Sequence, residues 1–276
     1  MIATQMPTAA PTGPSTTKTS ATTGASLTGE LGPLPLETID LSAYDPEQSK
    51  LMDERCIVVT PADVPIGALD KKTCHLMSNI RQGLLHRAFS VFLFRPTDGA
   101  LLLQKRASEK ITFPDMWTNT CCSHPLDDFE EEKEMRDAMG VKRAATRKLE
   151  HELGIPQSQT PVEGFQYLTR IHYLAPSDGI WGEHEIDYIL FMSARVDVNP
   201  NLNEISEYKY VSPQELKDMM DVPGSKFTPW FRLIVREFLF PWWDALLQRS
   251  NLASGGKIDV TSMKDLAREG EVVKVE

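Results

Sequence analysis

The sequence predicts one domain of the α/β (α+β) sandwich class, and three observations carry that reading. Strand-like and helix-like segments are mixed without the strict βαβ alternation of an all-parallel sheet. The chain has 276 residues, 41% of them hydrophobic, which is enough for one large core. No internal repeat divides it. Ordered signals begin near Leu36 and stop at "SGGK" (254–257). The expected organisation is therefore a disordered tail over 1–36, a domain over 37–253 and a peripheral extension over 254–276. Residues 1–29 contain no acid and one base, Lys18, among Thr, Ala, Ser and Pro. Such a stretch cannot bury enough apolar surface to offset its ordering entropy.

The elements follow in order. "CIVVT" (56–60) reads as a short strand, and "PADVPIG" after it as a turn. "HRAFSVFLF" (86–94) and "LLLQKR" (101–106), joined through "RPTDGA", read as a β-hairpin. A loop with Phe113 and Pro114 leads to "TNTCCSHPL" (118–126). The acidic "DDFEEEKEMRD" (127–137) reads as a solvated surface insertion. In "VKRAATRKLEHELGI", Val141, Ala145, Leu149 and Leu153 share one helical face, and Gly154 ends the helix. "FQYLTRIHYLA" (165–175) and "EIDYILFMSARV" (185–196) are strands around a turn. "SPQELKDMM" opens a helix, with Ser212 as N-cap, Pro213 at the first position and Glu215 completing a capping box. The most apolar run, "WFRLIVREFLFPWWDALL" from Trp230, holds Arg232, Arg236, Pro241 and Asp244. It reads as a buried, kinked helical region rather than a membrane span.

Charge and cysteine usage exclude several classes. A net charge of −10 argues against nucleic acid or an anionic membrane as partner. Neither an apolar secretory segment nor an Arg-rich presequence opens the chain. Four cysteines without regular spacing make no disulfide framework, and the vicinal pair Cys121–Cys122 is poorly placed for a bond of its own. A cytoplasmic, reducing compartment is the expectation, and a small anionic substrate stays open where a local cluster of Lys, Arg or metal overcomes the global field.

The candidate metal-binding residues are His75, His86, His124, Glu183 and Glu185. Glu183 and Glu185 lie one residue apart at the start of a strand, so both side chains share a face. Three imidazoles and two carboxylates suit a five- or six-coordinate divalent ion, Mg, Mn or Zn, better than a soft thiolate site. Taken singly, each of these residues is more often an ordinary satisfied or solvated side chain. Lys71, Arg106 and Lys110 sit at element ends where cations could clamp a diphosphate, or simply face solvent. If 120–125 is extended, alternation puts Cys122 and His124 on one face and Cys121 with Ser123 on the other.

The helix "RKLEHELGI" (147–155) resembles the helical part of the Nudix box, with Lys148 and His151 standing where two metal-binding glutamates belong. That departure weighs against Nudix diphosphate hydrolysis, the nearest alternative reading. Together with "WTNTCCSHPL", "LLHRAFSVFLF" and "GEHEIDYILF", the helix makes residues 50–250 resemble the type 1 isopentenyl-diphosphate delta-isomerase family. The resemblance implies a Nudix-like α/β/α sandwich with a mixed sheet, and interconversion of isopentenyl and dimethylallyl diphosphate in isoprenoid (sterol precursor) biosynthesis. It implies that His75, His86, His124, Glu183 and Glu185 hold one ion (Mn2+, Mg2+ or Zn2+). Glu152 would help place a second, Mg2+, which bridges the diphosphate. Cys122 and Glu185, assisted by Tyr173, would handle protons. Lys71, Arg106, Lys110 and Ser123 would bind the diphosphate, and Trp230 would line the hydrocarbon pocket. Glu185 with Tyr173 is the expected donor in the forward direction, and a Cys122 thiolate, favoured by nearby cations and metal, the acceptor.

Overall fold

The computed structural model describes residue 37 and residues 39–275. The expected disordered tail, 1–36, lies outside the described residues. The chain begins with α1 (Pro46–Leu51), β1 (Arg55–Val59), β2 (Pro65–Asp70), α2 (Lys71–His75) and α3 (Met77–Ile80). The "PADVPIG" turn is shorter than its composition suggests, because β2 starts at Pro65 and pairs antiparallel with β1. Asp63 makes that turn with φ of 62°, a conformation Asp tolerates. Its buried carboxylate receives Arg87, Arg170 and the hydroxyl of Tyr188.

The centre of the sheet is β3 (His86–Phe94), all nine residues of which are buried. One edge pairs in parallel along its whole length with β8 (Gly182–Ser193). The other edge is shared by three partners in succession: β1 at His86, β6 (Cys121–Ser123) at Phe89–Val91 and β4 (Leu101–Arg106) at Phe94. The expected hairpin is therefore real only at its turn, where Arg95 N–H donates to Ala100 O at 2.8 Å. β6 wedges into the space, and β4 turns away to pair with β5 (Trp117–Thr118) and β9 (Ile205–Val211). Beyond β8 lies its antiparallel partner β7 (Phe165–Pro176).

Alternation along β3 and β8 separates two cores. Phe89, Val91, Ile186 and Leu190 pack under α4 (Met139–Leu153), whose Val141, Ala145, Leu149 and Leu153 are buried as their spacing requires. Each such leucine contributes about 1.5–3 kcal/mol. Gly154 caps α4 at φ 62°, and a Cβ there would stand 2.0 Å from Asn199 O. On the opposite face Phe92, Phe94, Ile189 and Phe191 meet α5 (Pro213–Asp221), α6 (Pro229–Ile234) and α7 (Phe240–Arg249). Ser212 caps α5 with a complete capping box. A π-helical turn, Val235–Leu239, joins α6 to α7 and absorbs the irregularity that Pro241, lacking an N–H, imposes. The result is an α/β/α sandwich over a mixed sheet.

Two expectations need correction. The expected peripheral extension, 254–276, is part of the domain over its described residues: Ile258, Val260, Met263 and Val275 are buried in the core, and β10 (Val272–Lys274) pairs in parallel with β7. The free edge of β7 offers unpaired backbone groups that a short, charged segment can satisfy. The acidic stretch is not wholly solvated either, since Glu132 is buried within it.

Candidate active site

The strand register assembles the site on the α6 face of the sheet. His86 pairs with Glu185, Glu185 with Tyr173, and Ser90 with Cys122, so these side chains point the same way from four adjacent strands. α2, capped by the Asp70 carboxylate, delivers His75. His124 follows directly on β6. Ligand atoms of His75, His86, His124, Glu183 and Glu185 all lie within 4.8 Å of one another, and all five residues are buried.

This group fits a divalent ion. His75 Nε2 is 2.7 Å from Glu183 Oε2, while His86 Nε2 and His124 Nε2 are 3.3 Å and 2.9 Å from Glu185 Oε1. The three imidazole centroids lie 4.7–5.0 Å apart. His75 Nε2, both His86 nitrogens and Glu183 Oε2 are buried without a hydrogen-bond partner of proper geometry, a costly arrangement for polar atoms unless something else binds them. Lys71 O accepts the Nδ1 proton of His75 at 2.7 Å, which turns the Nε2 lone pair inward as a metal ligand needs. Burial lowers the pKa of His86 and, with the neighbouring imidazoles, that of His124, keeping both in the ligating neutral form.

The cysteines divide as alternation requires. Cys121 is fully buried in the α4 core, its thiol 3.5 Å from Glu152 Oε2. Cys122 lines the pocket with Tyr173, Glu185 and Trp230. Ser123 lines it too, because β6 ends there. The expected Cys122 thiolate is not what the surroundings favour. Burial pushes the thiol up to about 12, and the Arg106 guanidinium, 4.0 Å from the sulfur, offsets only part of that. Glu185 moves the other way. Burial opposes its ionisation, but the His86 ring 3.3 Å from Oε1, the Tyr173 hydroxyl and the His75 ring outweigh it, so its pKa falls below the ordinary carboxylate value.

Lys71, Arg106 and Lys110 converge on the same pocket, with Glu152. Arg106 is held in place by Thr112 O at 2.7 Å and Phe113 O at 3.0 Å, and its guanidinium carbon lies 5.7 Å from the Trp230 ring centre. Trp230 donates its indole N–H to Asn119 Oδ1 at 3.2 Å and meets Phe113 edge-on. Lys110 is not a free surface cation: its ammonium is 2.6 Å from Glu204 Oε2. Glu152 accepts from Gln104 at 3.1 Å, and Lys148 lies 3.5 Å from it.

Residues 84–231 match the NUDIX domain family. The chain is 61% identical over 233 residues to the isopentenyl-diphosphate delta-isomerase of Phaffia rhodozyma, covering 84% of this chain and 92% of that one. It is 62% identical over 208 residues to that of Gibberella zeae, covering 75% and 82%. It is 54% identical over 223 residues to isopentenyl-diphosphate Delta-isomerase 1 of Mesocricetus auratus, covering 80% and 97%. The chain belongs to the isopentenyl-diphosphate delta-isomerase family.

Several residues of this isomerase-family site carried no sequence signal that was used. Glu204 lies outside every motif and shows itself only by its buried contacts to Lys110 and to Gln48 of α1. Asp187 is also buried, and its carboxyl accepts the Ser90 hydroxyl at 2.8 Å. A signal for it existed, since 183, 185 and 187 alternate onto one face. Thr112 and Asn119 act as struts for Arg106 and Trp230.

Proposed function

We propose that this chain interconverts isopentenyl and dimethylallyl diphosphate by adding a proton at one end of a three-carbon unit and removing one at the other. The observation that carries this reading is the joint placement of Cys122 and Glu185 in one pocket, with Lys71, Arg106 and Lys110 beside them and the buried His/Glu group at one side. The family relationship supports the same reaction.

His75, His86, His124, Glu183 and Glu185 would hold one Mg2+, Mn2+ or Zn2+, and Glu152 would help hold an Mg2+ that offsets the charge of the diphosphate. When bound, these ions supply positive charge that keeps Glu185 ionised and offsets the charge of the substrate. Lys71, Arg106, Lys110 and Ser123 bind the diphosphate, and that remote binding energy holds the alkene between the two proton-handling groups. With the thiol pKa high and the carboxyl pKa low, the resting pair carries its proton on sulfur. This reverses the expected direction: Cys122 gives its proton to the terminal alkene carbon, and Glu185, held by Tyr173, takes one from the allylic carbon. Exchange with solvent moves a proton from the carboxyl back to the sulfur before the next forward turnover. The reverse reaction exchanges the two roles. Arg106 faces the thiolate that forms, and the Trp230 indole stabilises the carbocation-like species by about 1–2 kcal/mol in a dry pocket. The substrate diphosphate is the partner, and a monomeric, cytoplasmic enzyme of isoprenoid biosynthesis is the setting we propose. Four free cysteines support a reducing compartment, and among the described residues no helix is long and apolar enough to cross a membrane.

Diphosphate hydrolysis is the poorer reading. Lys148 is a buried cation on the helix face where the hydrolytic box needs carboxylates, and it reaches toward Glu152 and His151. The deciding experiment incubates the protein with isopentenyl diphosphate and Mg2+ in heavy water. Dimethylallyl diphosphate carrying deuterium is expected, with activity lost on chelation. Release of inorganic phosphate without isomerisation would refute the proposal.

A further inference from the structure

We propose that Glu132, in the acidic stretch after Leu126, is a positioning residue for His124 and acts through Arg147. The inference rests on reading the His/Glu group as a metal site. Glu132 is only 3% exposed, unlike its neighbours Glu130 and Glu131. Its two carboxylate oxygens do three things. Oε1 accepts from Arg147 Nε at 2.6 Å, Oε2 accepts from a terminal nitrogen of the same guanidinium at 2.9 Å, and Oε2 also accepts the backbone N–H of Leu126 at 2.8 Å. The guanidinium nitrogen that meets Oε2 also donates to His124 O at 3.3 Å.

One carboxylate–guanidinium pair thus grips the backbone on both sides of Pro125, at His124 O and at Leu126 N. The grip is needed because β6 is only three residues long and ends at Ser123, one residue short of His124. A two-pronged Arg–carboxylate contact fixes angle as well as distance. Arg147 stands on α4, so the rigid helix is the reference against which His124 is set. The packing of the acidic stretch onto α4 is close: a Cβ on Gly140, near the start of the helix, would stand 2.2 Å from Glu132 O. Phe129 covers the guanidinium, with its ring centre 5.2 Å from the Arg147 carbon. The insertion therefore bends back to place one buried acid, while Glu130 pairs with Lys133, and Glu134 with Arg136 and Arg143, near the surface.

Residues that hold a metal ligand from behind shift metal affinity by 10–100-fold when altered. The test compares Glu132→Gln with Glu131→Gln, an exposed neighbour, using Zn2+ titration against a competing chelator and Co2+ absorption spectra of the metal-depleted protein. Melting temperature without metal is measured in parallel. Glu132→Gln is expected to weaken Zn2+ binding at least tenfold and to alter the Co2+ spectrum, with Glu131→Gln like wild type. Arg147→Lys, which keeps the charge but loses the fork, should reproduce the loss and serves if Glu132→Gln folds poorly. A lowered melting temperature with unchanged Zn2+ affinity and Co2+ spectrum would overturn the proposal and leave Glu132 a structural anchor only. His86→Ala separates the two readings: if it too leaves wild-type Zn2+ affinity, the metal-site reading itself has failed.

Discussion

Tyr173 donates its hydroxyl proton to Glu185 Oε2 across 2.5 Å, from the position directly opposite in the β7–β8 ladder. A register slip of one residue would turn the two side chains to opposite faces, so the contact is built into the pairing itself.

Tyr173→Phe removes a hydrogen bond that lowers the Glu185 pKa. The carboxyl then titrates at higher pH, and the base form of Glu185 is lost earlier on acidification. The acid limb of the kcat–pH profile is expected to move upward, with kcat falling by about 10²-fold and KM changing little. A profile that superimposes on the wild type would show that the hydroxyl does not govern the Glu185 proton.

Cys122→Ala should lose nearly all turnover, whereas Cys121→Ala keeps most of it, with a modest loss of stability from the vacated core position. Alkylation reports the acidity. With a pKa of about 12, Cys122 is roughly one part in 10⁴ thiolate at pH 8. Its higher intrinsic nucleophilicity compensates in part, so iodoacetamide should react about fifty-fold more slowly than with an ordinary exposed thiol. Peptide mapping after timed labelling of metal-free protein reads this directly, and fast labelling of Cys122 would restore the thiolate assignment.

Glu204→Gln leaves Lys110 as a charge in a mostly buried position without its partner. Breaking such a pair costs about 3 kcal/mol. The thermal midpoint should drop by several degrees. Since the ammonium still faces the pocket, KM for the diphosphate should rise far less than in Lys110→Ala. A thermal scan and steady-state kinetics on both variants distinguish the strut from the ligand.

Acid should weaken the metal-free fold through its buried and half-buried histidines. Burial lowers His184 to about 4, against the favourable contact of its Nδ1 with Leu84 O. Between that value and the ordinary histidine value of about 6.5, the unfolded chain binds more protons than the folded one. Stability therefore declines as pH falls through this window and is unaffected by His184 above it. His86 and His124, also lowered, act in the same sense. His184→Gln should flatten the fall in melting temperature between pH 7 and pH 4.5. An unchanged slope would mean that His184 titrates normally.

Much of this was legible in the sequence, for particular reasons. α4 was readable because Val141, Ala145, Leu149 and Leu153 repeat at helical spacing, and α5 because Ser212, Pro213 and Glu215 spell its start. The opposite fates of Cys121 and Cys122 followed from alternation alone. His75, His86 and His124 were different: they come from three separate segments that no local period links, so ligand chemistry made them candidates beside Glu183 and Glu185, and the resemblance made the grouping specific. β10 was missed because "EVVKVE" is short, charged and paired with a strand about a hundred residues earlier. Glu132 was missed because composition averages over a stretch, whereas burial is decided one side chain at a time.

The parallel seam between β3 and β8 has a price during synthesis. β3 carries "HRAFSVFLF", every residue of it buried at the end, yet its full-length partner is residues 182–193. At about 5–20 residues per second, the roughly hundred residues that separate the two strands take some 5–20 s to appear. Throughout that interval a phenylalanine-rich apolar strand, free of proline, stands without its main neighbour, a pattern that favours pairing with other chains. Non-local closure of this kind also slows folding once the chain is complete. The nascent protein should accordingly depend on chaperones that shield extended apolar segments, and lowering the translation rate between codons 95 and 182 should decrease its soluble yield.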